Sequence, residues 1–283
     1  MVTYDGFGPE KILEVYNPKV GMRGFIVLDN LSLGPGKGGI RMTPTVSVDE
    51  VSRLARTMTW KNAMAGLPFG GAKAGIIADP KDFDKKKKKE IIEAFSEAIR
   101  FISPSLYIAA PDMNIAEKEV EWFVKKNGNG KSATGKPKKM GGIPHELGST
   151  GFGVYHAALV AIDSLSLQLE KVTVAIEGFG NVGWFVAQYL SKHCKIVAVS
   201  DSRGVIFNKN GLDFNKLVDV KKSKGTVTAY NDGELLPSND ILDVKADVLI
   251  TAAIPDLIKE SDVDRLKFKI IVEGSNIPMT SDV

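Results

Sequence analysis

Cysteine is almost absent: the 283-residue chain has one, Cys194. A lone thiol excludes an internal disulfide and a cysteine-rich metal site. Histidine is nearly as scarce. His145, His156 and His193 show no ligand spacing, so all three are expected as surface or packing residues, with no metal site. No run of about 18 apolar residues exists, which excludes an ordinary membrane-spanning helix. The first residues, MVTYDGFGPE, have neither a basic stretch nor an apolar one. No secretory signal is read there, and a cytoplasmic location is expected. A dominant charge is missing too. Lysine and arginine total 37 against 34 acids, net +3, and only seven of the cations are arginine. A nucleic-acid binder carries a larger or more clustered excess.

What is present is an ordinary globular composition, 43% apolar and 25% charged. At roughly 100–200 residues per domain the length suits two domains. Stretches 24–28, 73–78 and 105–110 read as strands. Ser47 with Glu50 three residues on predicts a capped helix carrying Leu54, Met58 and Lys61. The run Lys85 to Lys89 opens a second helix, with apolar residues at 91, 92, 95, 98 and 99. The pattern changes near residue 150. Helices are predicted over 150–165 and 181–191, and buried strands over 172–176, 195–200, 247–251 and 269–273. Alternating strands and helices predict an α/β protein with a parallel, doubly wound sheet. The expected domains are 1–149, with a mixed sheet, and 150–283, Rossmann-like.

Glycine is plentiful, 28 in all, and clusters at 34–39, 66–75, 141–142 and 178–183. Gly178-x-Gly180-x-x-Gly183 follows a buried strand and opens a helix, with Asp201 ending the next strand. The first glycine permits the tight turn, the second lets a pyrophosphate approach, and the third allows close packing. Phosphates would sit on the helix N-terminus, where Asn181 and Val182 stand, and Asp201 would take the ribose hydroxyls. Ser202 and Arg203 follow directly and would suit a 2′-phosphate, so NAD and NADP both remain open. Two other patterns fail. Gly130-Lys131-Ser132 imitates a P-loop, but position 125 is Lys where glycine is required, and His145-Glu146 imitates a zinc-protease motif, but position 149 is Ser.

Three lysines stand in apolar, glycine-rich settings: Lys37, Lys61 and Lys73. Several ammonium groups in one site suit a dicarboxylate, and repulsion plus burial lowers a lysine pKa toward neutrality. Asp112, just past the strand ending at Ala110, is a candidate for proton transfer.

The segments GPGKGGIRM, MTWKNAMAGLPFGGAKAG, APDMN, ATGKP, EGFGNVG and VEGSN together resemble the glutamate/leucine/phenylalanine/valine dehydrogenases. The resemblance covers nearly the whole chain in the family's order, and lies closest to the glutamate enzymes. It implies NAD(P)-dependent oxidative deamination of an L-amino acid to a 2-oxo acid and ammonia, and the reverse, in a cleft between the two domains. Lys73 is implied as the catalytic lysine that polarises the carbonyl and the attacking water. Asp112 would exchange protons with the water and the amino group. Lys61 would hold the α-carboxylate, with Gly39 and Met58 beside the substrate. Lys37 stands where glutamate enzymes bind the side-chain carboxylate and the leucine and phenylalanine enzymes tend to be apolar, so glutamate and 2-oxoglutarate are expected. Thr150 is implied near the nicotinamide amide, Asn276 at its ribose, and Ala252 as a further cofactor contact.

The resemblance also makes 1–149 the catalytic and assembly domain and implies a homo-hexamer. Family chains run on past the VEGSN segment with a strand and helices, and often carry Arg where Glu146 stands, so a chain shortened at its C-terminus is expected. Two alternatives stand beside glutamate deamination: a leucine- or valine-type dehydrogenase, and a non-catalytic dinucleotide-binding subunit of a larger assembly.

Overall fold

Glycine, rather than a β-branched run, builds the central strands of the N-terminal unit. The computed structural model describes residues 2–143, 147–280 and 282–283, and the chain divides into the units Met1–His145 and Glu146–Val283. This division falls a few residues before the one predicted at 149/150. His145 and Glu146 themselves lie outside the described residues.

The first unit holds β1 (Lys11–Asn17), β2 (Met22–Asn30), β3 (Gly36–Thr43), β4 (Gly70–Ile77) and β5 (Tyr107–Ala110), in the order β1-β2-β4-β3-β5. β2 pairs antiparallel with β1 and β4, while β3 runs parallel to β4 and β5, a mixed sheet. The residues of β3 look like a loop in the sequence because glycine is a poor strand former. Here its neighbours come too close for anything larger. A Cβ on Gly38 would lie 1.5 Å from the Ala72 carbonyl oxygen, and one on Gly36 would lie 2.8 Å from the Ala72 Cβ. Alternation along the strands then divides the core. Ile26, Leu28, Ile40 and Met42 pack with α2 (Lys85–Ala98) and α3 (Glu117–Asn127). Phe25 and Val27 point the other way and meet Val51 and Ala55 of α1 (Val48–Met64). The Ser47 hydroxyl caps α1 by accepting from the Glu50 N–H at 3.2 Å, as the pattern predicts. The lysine run forms the first turns of α2, capped by Asp84.

The second unit begins with α4 (Ser149–Ser164) and continues through β6 (Thr173–Glu177), α5 (Asn181–Leu190), β7 (Lys195–Asp201) and β8 (Gly204–Phe207). It is completed by α6 (Phe214–Lys224), β9 (Glu234–Leu236), β10 (Val248–Thr251) and β11 (Ile270–Glu273), with sheet order β11-β10-β6-β7-β8-β9. The four strands from β11 to β7 are parallel. β8 and β9 are antiparallel and depart from the all-parallel expectation. The reason is chain length: Ser202 and Arg203 alone join β7 to β8, and so short a link makes only a hairpin. Val174 and Ile176 face one core layer and Ala175 the other, so β6 is buried on both faces. The chain leaves β6 for β7 on one side and returns later to β10 on the other. That reversal opens a crevice at the strands' carboxyl ends. Among the described residues, no helix is long and apolar enough to cross a membrane.

Candidate active site

Cross-strand register sets the first cluster. Lys37 of β3 pairs with Gly71 of β4, and Gly39 pairs with Ala110 of β5. With side chains alternating along each strand, Lys37, Gly39, Arg41 and Lys73 all project from the face that α1 covers. Asp112 follows two residues after Ala110, in a turn closed by reciprocal backbone hydrogen bonds with Ile115 and by the Asn114 side chain donating to the Met42 carbonyl at 2.9 Å. Gly39 admits this turn: a Cβ there would lie 2.6 Å from the Pro111 carbonyl oxygen and 2.8 Å from the Asp112 Cβ.

Lys73 Nζ is ion-paired with Asp112 Oδ2, and the two side chains are only 5% and 11% exposed. Asp112 Oδ1 accepts the Met113 N–H at 2.8 Å and lies 3.4 Å from Arg41 Nη2. The guanidinium's other arm, Nη1, reaches Glu50 Oε1 of α1 at 2.5 Å. Burial pushes the Lys73 ammonium below its ordinary pKa, and the Asp112 carboxylate offsets this only in part. Burial alone would push Asp112 up, but Lys73 and Arg41 together outweigh it and hold the carboxyl below the usual range. A buried pair of this kind adds little stability, and its shifted groups make it a candidate for proton transfer.

Lys37 lies beside the pair on the same face. Its Nζ donates to the Thr134 hydroxyl at 2.5 Å and stands 5.5 Å over the Phe69 ring. Burial, and then the charge of Lys136, brings its pKa down to about 8. Met58 is half-buried on α1, and Lys61 is exposed in that helix's last turn. Arg41, Glu50 and Thr134 are site residues that sequence reasoning did not single out. Arg41 and Thr134 lie within the segments GPGKGGIRM and ATGKP, whereas Glu50 was read only as a capping residue.

The second cluster is built on the turn from β6 to α5. Gly178 adopts φ +91°, and a Cβ on it would lie 2.6 Å from the Ala253 Cβ. A Cβ on Gly183 would lie 1.9 Å from the Gly178 carbonyl oxygen, whereas Gly180 faces open space at the start of α5. Asn181 and Val182 follow as the first helical residues. A turn of this shape at a helix N-terminus suits a pyrophosphate, and the residues present fit a dinucleotide. A cavity of about 450 Å³ adjoins it, lined by Gly178, Gly180, Asp201, Ser202, Lys221 and Ala253 among others. The Glu177 carboxylate accepts the Ala252 and Ala253 N–H groups at 3.0 Å each, which ties the ends of β6 and β10 together. Burial pushes the Glu177 carboxyl up despite those donors.

Asp201 lines this cavity but is already engaged. Its Oδ1 accepts from the Arg203 N–H at 3.0 Å and the Thr226 hydroxyl at 3.1 Å. Its Oδ2 accepts from Lys221 Nζ at 2.7 Å and the Val227 N–H at 2.8 Å. Four donors fill a carboxylate, so a ribose hydroxyl must displace one of them. Ser202 and Arg203 are exposed. Thr150 is exposed in the first turn of α4, next to Gly151, whose missing Cβ lets that helix abut the Val182 carbonyl. Asn276 is half-buried just past β11. His156 and His193 are exposed, the first edge-on to Phe152 at 4.4 Å and the second stacked on Tyr155 at 6.2 Å, within the surface or packing role expected of them.

Known proteins share this arrangement of sequence. Residues 141–283 match the Glutamate/Leucine/Phenylalanine/Valine dehydrogenase family, and residues 9–128 match the Glu/Leu/Phe/Val dehydrogenase dimerisation domain. The chain belongs to this family. It is 40% identical over 268 residues to the glutamate dehydrogenase of Thermotoga maritima, covering 92% of this chain and 64% of that protein. Against the NADP-specific glutamate dehydrogenase of Saccharolobus shibatae it is 39% identical over 261 residues, covering 89% and 62%. The Plasmodium falciparum glutamate dehydrogenase structure superposes with a TM-score of 0.83 at 27% identity, over 97% of this chain and 64% of that one. The hetero-hexameric glutamate dehydrogenase of Thermus thermophilus, in its Leu-bound form, gives 0.81 at 25% identity, over 94% and 66%. The chain thus spans under two thirds of the length of the curated relatives it matches.

Proposed function

We propose that this chain is an NAD(P)-dependent amino-acid dehydrogenase that deaminates L-glutamate oxidatively to 2-oxoglutarate and ammonia, and runs the reverse reaction. The observation that carries the reading is the buried Lys73–Asp112 pair with Lys37 on the same face. Family membership and the glutamate dehydrogenases among the relatives support it.

In this reading Lys37, a partly buried cation, takes the distal carboxylate of the substrate, and Lys61 takes the α-carboxylate. Gly39 and Met58 shape the space beside them. A dinucleotide held by the second unit would supply the acceptor for the hydride of the α-carbon. Every other step is proton traffic. Water attacking the substrate iminium must lose a proton, and the amine leaving the carbinolamine must gain one. Lys73, with its pKa brought down by burial, gives or takes a proton more readily than an exposed lysine, and Asp112 relays it through the oxygen in contact with Nζ. While charged, Lys73 also stabilises the oxygen that becomes the carbonyl.

The cofactor is held by Gly178, Gly180 and Gly183 with the N–H groups of Asn181 and Val182, and by Ala252, Thr150 and Asn276. Both NAD and NADP are proposed, since Lys221 neutralises Asp201 and Ser202 stands free to meet a 2′-phosphate. The match of residues 9–128 to a dimerisation domain supports a homo-oligomer, and a hexamer in the cytoplasm is part of the same proposal. The test is oxidation of NADH and NADPH by the purified chain with 2-oxoglutarate and ammonium, run in parallel with 4-methyl-2-oxopentanoate. Turnover on 2-oxoglutarate is expected. Preference for the branched substrate would reassign the chain to the leucine type, and silence on both while NADH still binds would overturn the enzyme reading.

A further inference from the structure

A buried arginine beside a catalytic pair must be there for packing or for control. Arg41 is 6% exposed, a guanidinium cation taken almost wholly out of water. Such a cation needs anions around it, and it has two at unequal range. Glu50 takes Nη1 at 2.5 Å, and Asp112 Oδ1 lies 3.4 Å from Nη2. Asp112 therefore has two unlike oxygens. Oδ1 is turned to Arg41 and the Met113 N–H, and Oδ2 faces Lys73. The pair is faced by Arg41 from β3 and by Glu50 from α1, with Lys37 of β3 on the same face of the sheet. Tyr107 of β5 packs on the opposite face, where its hydroxyl donates to the Gly38 carbonyl at 2.9 Å.

We propose that Arg41 and Glu50 are positioning residues for the Lys73–Asp112 pair. Arg41 holds Asp112 by Oδ1, so that Oδ2 is the oxygen that exchanges the proton with Lys73. Glu50 holds Arg41 and counters its charge. The inference rests on the dehydrogenase reading of this site. Its charge logic has a sign that packing lacks. Arg41 repels the Lys73 ammonium and Glu50 attracts it, so removing one must move the lysine opposite to removing the other.

The experiment uses the full chain with Arg41→Met, Arg41→Lys and Glu50→Gln. The pH midpoint of Lys73 is read from its 13Cε resonance, assigned by its loss in Lys73→Ala, and the pH profile of kcat for glutamate oxidation is recorded beside it. Arg41→Met should move the Lys73 midpoint up by about one pH unit, a roughly tenfold drop in neutral amine at fixed pH, and Glu50→Gln should move it down. The limb of the kcat profile should follow in each case. Arg41→Lys keeps the charge but cannot span both acids, so its midpoint should stay while kcat falls by about tenfold or more. Should Arg41→Met not fold, the other two variants carry the test. Midpoints equal to that of the unaltered chain, or moving the same way in Arg41→Met and Glu50→Gln, would overturn the proposal. An unaltered chain that never turns over glutamate, yet whose Lys73 responds with these signs, would overturn the dehydrogenase reading and keep the charge logic.

Discussion

Lys73 and Lys37 are both lysines pushed toward neutrality by burial, yet they answer to different tests. Replacing Lys73 by alanine should lower turnover by about 10²–10⁴, the span of acid–base catalysis, while NADH affinity measured by fluorescence titration stays as it was. Retained turnover would remove Lys73 from the chemistry. Lys37 works by charge alone. With a pKa near 8, it is an ammonium below that pH and a neutral amine above it. The KM for 2-oxoglutarate should accordingly rise as pH climbs through about 8, by roughly tenfold per unit beyond. In Lys37→Leu that KM should be high and flat across the same range, and a KM that still rises would assign the dependence elsewhere. Lys73, Asp112 and Lys37 were legible in the sequence because unusual neighbours mark them, glycine, phenylalanine and a proline after a strand. Arg41 and Glu50 were not, since no spacing rule joins a strand residue to a helix residue nine positions on. The four donors around Asp201 were equally hidden, for Lys221, Thr226 and Val227 come from a helix and a turn that no periodicity links to β7.

Elements with a strong period were legible: α1 with its serine cap, α2 behind the lysine run, and the buried strands β6, β7, β10 and β11. β3 was not, because its glycines answer to the approach of Ala72 and Pro111 and carry no strand signal of their own. β8 and β9 escaped notice for want of length, and so the sheet's antiparallel edge was missed. The turn from β6 to α5 was read correctly down to its third glycine. Gly183→Ala would drive a methyl group into the Gly178 carbonyl. The expected result is a loss of about 1–3 kcal/mol in chemical unfolding, together with weaker NADH binding. Unchanged binding would show that the turn relaxes and that the cradle tolerates a wider helix start.

On the scale of the molecule, each unit closes its own core. Among the described residues, the apolar clusters of the first draw on β1 to β5, α1 to α3, their connections and the stretch after α3 that holds Ala133 and Met140, and those of the second on the chain after residue 146. The glycine turn, Asp201, Lys221 and the β10 loop all belong to the second unit. Residues 146–283 made alone should therefore fold and bind NADH with an affinity near that of the full chain, by isothermal titration. Residues 1–145 should not bind it. Failure of the isolated second unit to bind would mean that the dinucleotide needs groups from the first.

The order of strands in the first unit also bears on its birth at the ribosome. β4 fills the gap between β2 and β3, yet it is made after both and after the whole of α1. Synthesis proceeds at roughly 5–20 residues per second. For a few seconds the nascent chain carries two strands whose inner edges, with every N–H and C=O unmet, await a third. In that interval the growing polypeptide is open to pairing with its neighbours on the same message, and the glycines that later admit β4 leave those edges bare of side chains that would keep them apart.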